Sequence, residues 1–107
     1  QANADPLEEM EEYGLNALEK IGVENLLPKR DVFVSASGAK GLKTFGSANF
    51  KFPAQPENDA EFIILNFSDS LRLHQLVLLW RANDKYVNKI VERILSSAEP
   101  NKELQND

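Results

Sequence analysis

The side chains able to do acid–base, metal or nucleophile chemistry are few and scattered along this chain. His74 is the single histidine. An imidazole acting as general base needs a nucleophile beside it and a carboxylate to orient it, and the sequence marks neither. Its expected place is an edge or half-buried strand position on the same face as Leu76, Leu78 and Trp80. One histidine, no cysteine and carboxylates without ligand spacing define no metal centre. The acidic run Glu8, Glu9, Glu11 and Glu12 falls on a helical segment. Calcium loops converge alternate oxygens around a sharp glycine turn, which a regular helix does not do, so this run reads as a solvated face. No catalytic, cofactor-binding or metal-ligating residue is assigned, and the reading leans away from an enzyme.

Two further segments come close to known chemistry and miss it. Gly38 to Gly46 (GAKGLKTFG) mixes glycine and lysine, but a phosphate loop needs G-x-x-x-x-G-K-S/T between a strand and a helix. Here the spacing differs and a strand follows, so a hairpin connection is expected. Lys43 to Phe50 (KTFGSANF) half-resembles the RNA-recognition octapeptide, matching at Lys43, Phe45, Gly46 and Phe50. Ser47 stands where that motif wants an aromatic, and no helix precedes the strand. A net charge of -5 also opposes nucleic-acid and anionic-membrane binding. Asn66-Phe67-Ser68 spells a glycosylation sequon inside a strand, where chance explains it.

What remains is surface. Phe62 to Phe67 and Leu76 to Trp80 are apolar on both sides, more sheet area than two helices readily cover. The expected function is therefore a non-catalytic binding or assembly module acting through protein–protein contact, with a protein partner or a second copy. The candidate interaction surface is Lys40, Lys43, Phe45, Lys51, Leu76, Leu78 and Trp80. Opposed charge segments would steer such a partner: residues 1–28 are acidic and 29–53 basic. The alternative is a small-molecule or lipid carrier with an apolar pocket between the sheet and the C-terminal helix. Neither requires a cofactor.

These residues are positioned by an α+β framework: a largely antiparallel sheet of about four strands with an N-terminal and a C-terminal helix. Asp5 caps the first helix and Pro6 suits its first position. Leu7, Met10, Leu18 and Ile21 share a face, Gly14 is a point where the helix could divide, and Gly22 ends it. Val23 to Leu27 is ambiguous and Pro28 closes it. Asp31 to Ser35 alternates as a strand, Ser37 to Gly46 reads as a flexible connection, and Ser47 to Phe52 alternates again. Pro53 to Ala60 is a loop, Glu61 to Phe67 a central strand, and Ser68 to Ser70 a turn. Leu71 to Ala82 is compatible with strand or helix; its apolar residues would circle a helix, which favours strand. The last helix starts at Asn83 or Asp84, with a stripe of Val87, Ile90, Val91 and Ile94.

With 107 residues, 42% hydrophobic and 27% charged, one globular domain with a single core is expected. Residues 1–5 and 99–107 are expected to fray. No apolar run reaches the ~18 residues of a membrane span. Gln1 in place of Met suits a processed chain or an excised domain, so secreted, periplasmic and cytoplasmic locations all stay open.

Overall fold

The structure is a computed structural model that describes residues 5–34, 38–68 and 71–97. Its elements follow in the order α1 (Pro6–Lys20), β1 (Glu24–Val34), β2 (Lys40–Asn49), β3 (Asp59–Ser68), β4 (Leu73–Arg81) and α2 (Lys85–Ser97). The four strands form one antiparallel sheet in the order β1-β2-β3-β4, each pairing with its neighbour in the chain. This is the expected α+β architecture.

Helix α1 begins where Asp5 accepts the Leu7 N–H at 2.9 Å, with Pro6 in the first turn. Gly14 does not divide it. The helix runs unbroken, and Gly14 is where it presses on the sheet: a Cβ there would lie 3.0 Å from the Ile64 side chain and 3.1 Å from that of Gln75. The helix ends in a Schellman motif. Val23 donates to the Leu18 carbonyl at 3.0 Å and Gly22 to that of Glu19 at 3.0 Å. Gly22 takes the left-handed conformation, φ 106°. Leu18 and Val23, which flank this turn, are both buried.

Two boundaries differ from the sequence expectation. β1 does not stop at Pro28 but runs through it, with irregular register between Glu24 and Leu27. The Val32 N–H donates to the carboxylate of Asp31 at 2.8 Å, so even-numbered residues turn their N–H away from β2. Pro28 sits in that outward row on an edge strand, where its missing donor breaks no ladder bond. β2 starts at Lys40, inside the stretch expected to be flexible. Gly41 and Gly46 are strand residues, chosen for close approach: a Cβ on Gly41 would lie 2.4 Å from the Asn66 carbonyl oxygen, and one on Gly46 would lie 2.1 Å from that of Leu27. Phe50 and Phe52 lie past the strand and meet edge to face at 4.9 Å.

β3 is buried on both faces, and each face receives one helix. On the first face, Leu18 of α1 joins Val23, Ala48, Phe62 and Ile64, with Leu15, Leu26, Phe50 and Leu79 around them. On the second, Val87, Val91 and Leu95 of α2 pack with Ile63, Leu65, Phe67, Trp80, Phe45, Leu76 and Leu78. The segment that was compatible with either structure is strand β4. Asp84 caps α2, accepting the Val87 N–H at 3.1 Å. That hydrogen bond, followed by one from Arg81, holds its carboxyl below the usual range. Asp5 is held by its cap contact. The other positions expected to fray, and Asp69 and Ser70 of the expected turn, lie outside the described residues.

Candidate interaction surface

The most polar cluster in the interior is a fastening. Glu11 of α1 accepts hydrogen bonds from the Arg30 guanidinium of β1 and the Thr44 hydroxyl of β2, and Arg30 also reaches Glu8 at 3.4 Å. Register places Arg30 opposite Thr44 on the first face, so one carboxylate ties the helix to two strands. The Glu11 side chain is 10% exposed. Arg30 above all, and Thr44 after it, hold its carboxyl below the ordinary value of 4.5, against the opposing effect of burial. A group with a depressed folded value stabilises fully above the unfolded value, and that stabilisation is lost as pH falls through the folded one. Glu11→Gln should therefore be destabilising at neutral pH, with its deficit against the native chain shrinking below about pH 4.5. Thr44→Val should cost about 1.5–3 kcal/mol at neutral pH, since it strips a donor from a buried charge. Urea titrations across pH check both; a Glu11→Gln deficit that grows in acid would contradict the assignment.

Nearby on this face, Gln75 donates to Met10 O at 2.7 Å and to Asn66 Oδ1 at 2.8 Å. Asn66 is fully buried, with its Nδ2 unpartnered. The sequon thus lies in the core, closed to a glycan in the folded chain. His74 is half-buried on the second face and stacks on Phe67 at 5.4 Å between ring centroids. Among the described residues no three histidines, aspartates or glutamates gather as metal ligands. No described helix is long and apolar enough to cross a membrane.

The seven residues of the expected surface do not form one patch. Lys43, Phe45 and Trp80 line a single groove of about 450 Å³ on the second face, with Leu27, Lys29, Ser47, Glu61 and Ile63. The Lys43 ammonium lies 4.9 Å from the centre of the Phe45 ring. Leu76 and Leu78 pack on that face with α2. Lys40 belongs to the opposite face by register, and Lys51 follows the far end of β2. The charge pattern that grouped them in sequence carries no information about strand facing.

Besides Leu27 in that groove, 64% exposed, further open apolar residues lie at the sheet edges. On the first face Val32 is 69% and Val34 57% exposed in β1, while Leu73 is 42% and Val77 37% exposed in β4. The two strands are the edges of the sheet and differ in kind. β1 carries Pro28, an irregular register, the charges Lys29, Arg30 and Asp31, and an N–H already bonded to Asp31. Such features discourage a further strand from adding. β4 (LHQLVLLWR) has no proline and no acidic or lysine residue. Ala82 donates to Asp59 O at 3.0 Å, continuing the β3–β4 ladder. The alternation of that ladder turns the N–H and C=O groups of Leu73, Gln75, Val77 and Leu79 outward.

Fold and surface together define an α+β domain: a four-stranded antiparallel meander with one helix on each face and one unprotected edge. No protein-family model, curated protein or solved structure matches the chain.

Proposed function

We propose that the chain is a non-catalytic binding or assembly module that works through protein–protein contact. The observation that carries this is the apolar strand surface left uncovered: Val32, Val34, Leu73 and Val77 stay open because α1 spans only the middle of its face. These residues form one exposed apolar patch at each edge of the sheet, and exposed apolar strand area supports an interaction role. The polar interior supports the same reading, because Glu11, Arg30 and Thr44 are spent on holding α1 in place.

The carrier alternative has one feature in its favour, the groove of Phe45 and Trp80 with Lys29 and Lys43 at its side. That groove is lined by strands alone, while Val87, Val91 and Leu95 pack the space between sheet and α2. Native mass spectrometry of freshly purified protein separates the two: retained small cargo would favour the carrier. Sedimentation and chemical cross-linking test the module directly. A chain that stays monomeric at every concentration, and forms no saturable complex with any protein from its native source, would end the proposal.

A further inference from the structure

We infer that the β4 edge pairs with β4 of a second copy about a two-fold axis, joining two four-stranded sheets into one. This rests on the binding-module reading and names its partner. The first support is the asymmetry of the edges: β1 is blunted by Pro28, its charges and the Asp31 cap, whereas Leu73 to Trp80 carries no such device.

The second support is parity. Antiparallel pairing must oppose outward-facing residues to outward-facing residues. A two-fold passing at Val77 does so throughout, setting Val77 against Val77, Gln75 against Leu79 and Leu73 against Arg81. It opposes no like charges, and on the second face it brings Leu76 against Leu78 and His74 against Trp80. The same operation on β1 about Arg30 would oppose Val32 to Pro28, which has no N–H to give, and Arg30 to itself.

The third support is that exposed apolar side chains flank this edge on both faces. On the first face they are Leu73 and Val77, with the exposed Tyr13 of α1 beside Gln75 along an open groove. α1 runs alongside β4: Met10 and Gly14 lie at Gln75, and Leu18 clusters with Phe62, whose partner in β4 is Leu79. With α1 lying over β3, the two copies of α1 would stand about 14 Å apart, three strand spacings. They would run antiparallel, with the Lys20 end of each toward the acidic first turns of the other, which is favourable for both side chains and dipoles. Tyr13 from each side reaches into the gap above Val77.

On the second face, Asn88 of α2 accepts from the Trp80 indole, and Trp80 lines the groove that opens toward β1. Asn88 is therefore the inner flank of α2. Ile90 lies about 200° around the helix from it, on the flank over the β4 edge. Tyr86 and Ile94 fall on the same side, and Tyr86 and Ile90 are exposed. Two copies joined at β4 would cover these side chains too.

The chain has no cysteine, so an introduced pair reports cleanly. Directly opposed residues of a hydrogen-bonded antiparallel pair have Cα atoms about 5.5 Å apart, within reach of a disulfide. Val77→Cys should give a covalent dimer under mild oxidation, whereas Val32→Cys on the other edge should not. Val77→Lys should render the chain monomeric with unchanged circular dichroism, and mixing it with Val77→Glu should restore a dimer containing one of each. A native chain that dimerises while Val77→Cys fails to cross-link would overturn this pairing and leave the binding module standing. So would a native monomer whose β4 accepts an unrelated protein. A native monomer with no partner of any kind would remove both.

Discussion

Replacing Phe62 with alanine is expected to lower the unfolding free energy by about 3–5 kcal/mol. Phe62 is fully buried at the centre of the first-face cluster. It shares that cluster with Leu18 and Val23, the two residues that flank the Schellman turn. Truncation removes the buried ring and opens a void under the end of α1, where the turn geometry leaves little freedom to collapse. A domain of this kind has some 5–15 kcal/mol in total, so the variant should be only marginally folded at physiological temperature. Trp80, the sole tryptophan, sits in the cluster on the other face and reports independently of circular dichroism. The two signals should lose the transition together, because both clusters share β3. A loss below about 1 kcal/mol, the size of an ordinary substitution, would mean that α1 is not anchored there.

Gly41→Ala is expected to cost about 1–3 kcal/mol or more, the usual range for overpacking. The added methyl would stand 2.4 Å from the Asn66 carbonyl oxygen and 2.7 Å from the Phe67 Cβ. Asn66 and Phe67 belong to the central strand, buried on both faces and paired on both sides. Neither can withdraw without disturbing the ladder. Gly14→Ala is the contrast: its new methyl would meet only side chains, at 3.0–3.1 Å, and gains about 1 kcal/mol of helix propensity. A urea titration of the two variants side by side should show Gly41→Ala clearly the worse; equal effects would refute the claim that β2 and β3 depend on a missing side chain.

Much of this architecture is written in the residues. Asp5, Pro6 and Gly22 bound α1 by local chemistry, and the two-sided apolar run of β3 demands cover on both faces. For Leu71 to Ala82 the circumference argument only favours strand over helix; the structure makes Leu73–Arg81 strand β4, with apolar residues alternating across it. Glu11, expected on a solvated face, is buried because Arg30 and Thr44 wait across the sheet, and the misplaced strand boundaries share one cause. In the sequence Pro28, Gly41 and Gly46 stand as punctuation, because locally proline and glycine favour turns. Their roles are set by what lies across the sheet: an outward row for Pro28, and the Asn66 and Leu27 carbonyls for the glycines. The scattering of the seven surface residues has the same origin. Alternation along β2 sets Lys43 beside Phe45 and Lys40 opposite once the strand is known to start at Lys40, but only the register adds Trp80 to that face. The contrast between the two edges was out of reach too, since strand order had to be known before β1 and β4 could be compared.

The nearest-neighbour order of the strands has a consequence for the chain during synthesis. α1 and all four strands lie N-terminal to α2, so every element of the first face is synthesised before the last helix. Until that helix emerges, Ile63, Leu65, Phe67 and Trp80 face the cytosol or the translocon with nothing over them. A released chain truncated before Lys85 should bind chaperones or apolar dyes, and one that extends past Ser97 should not.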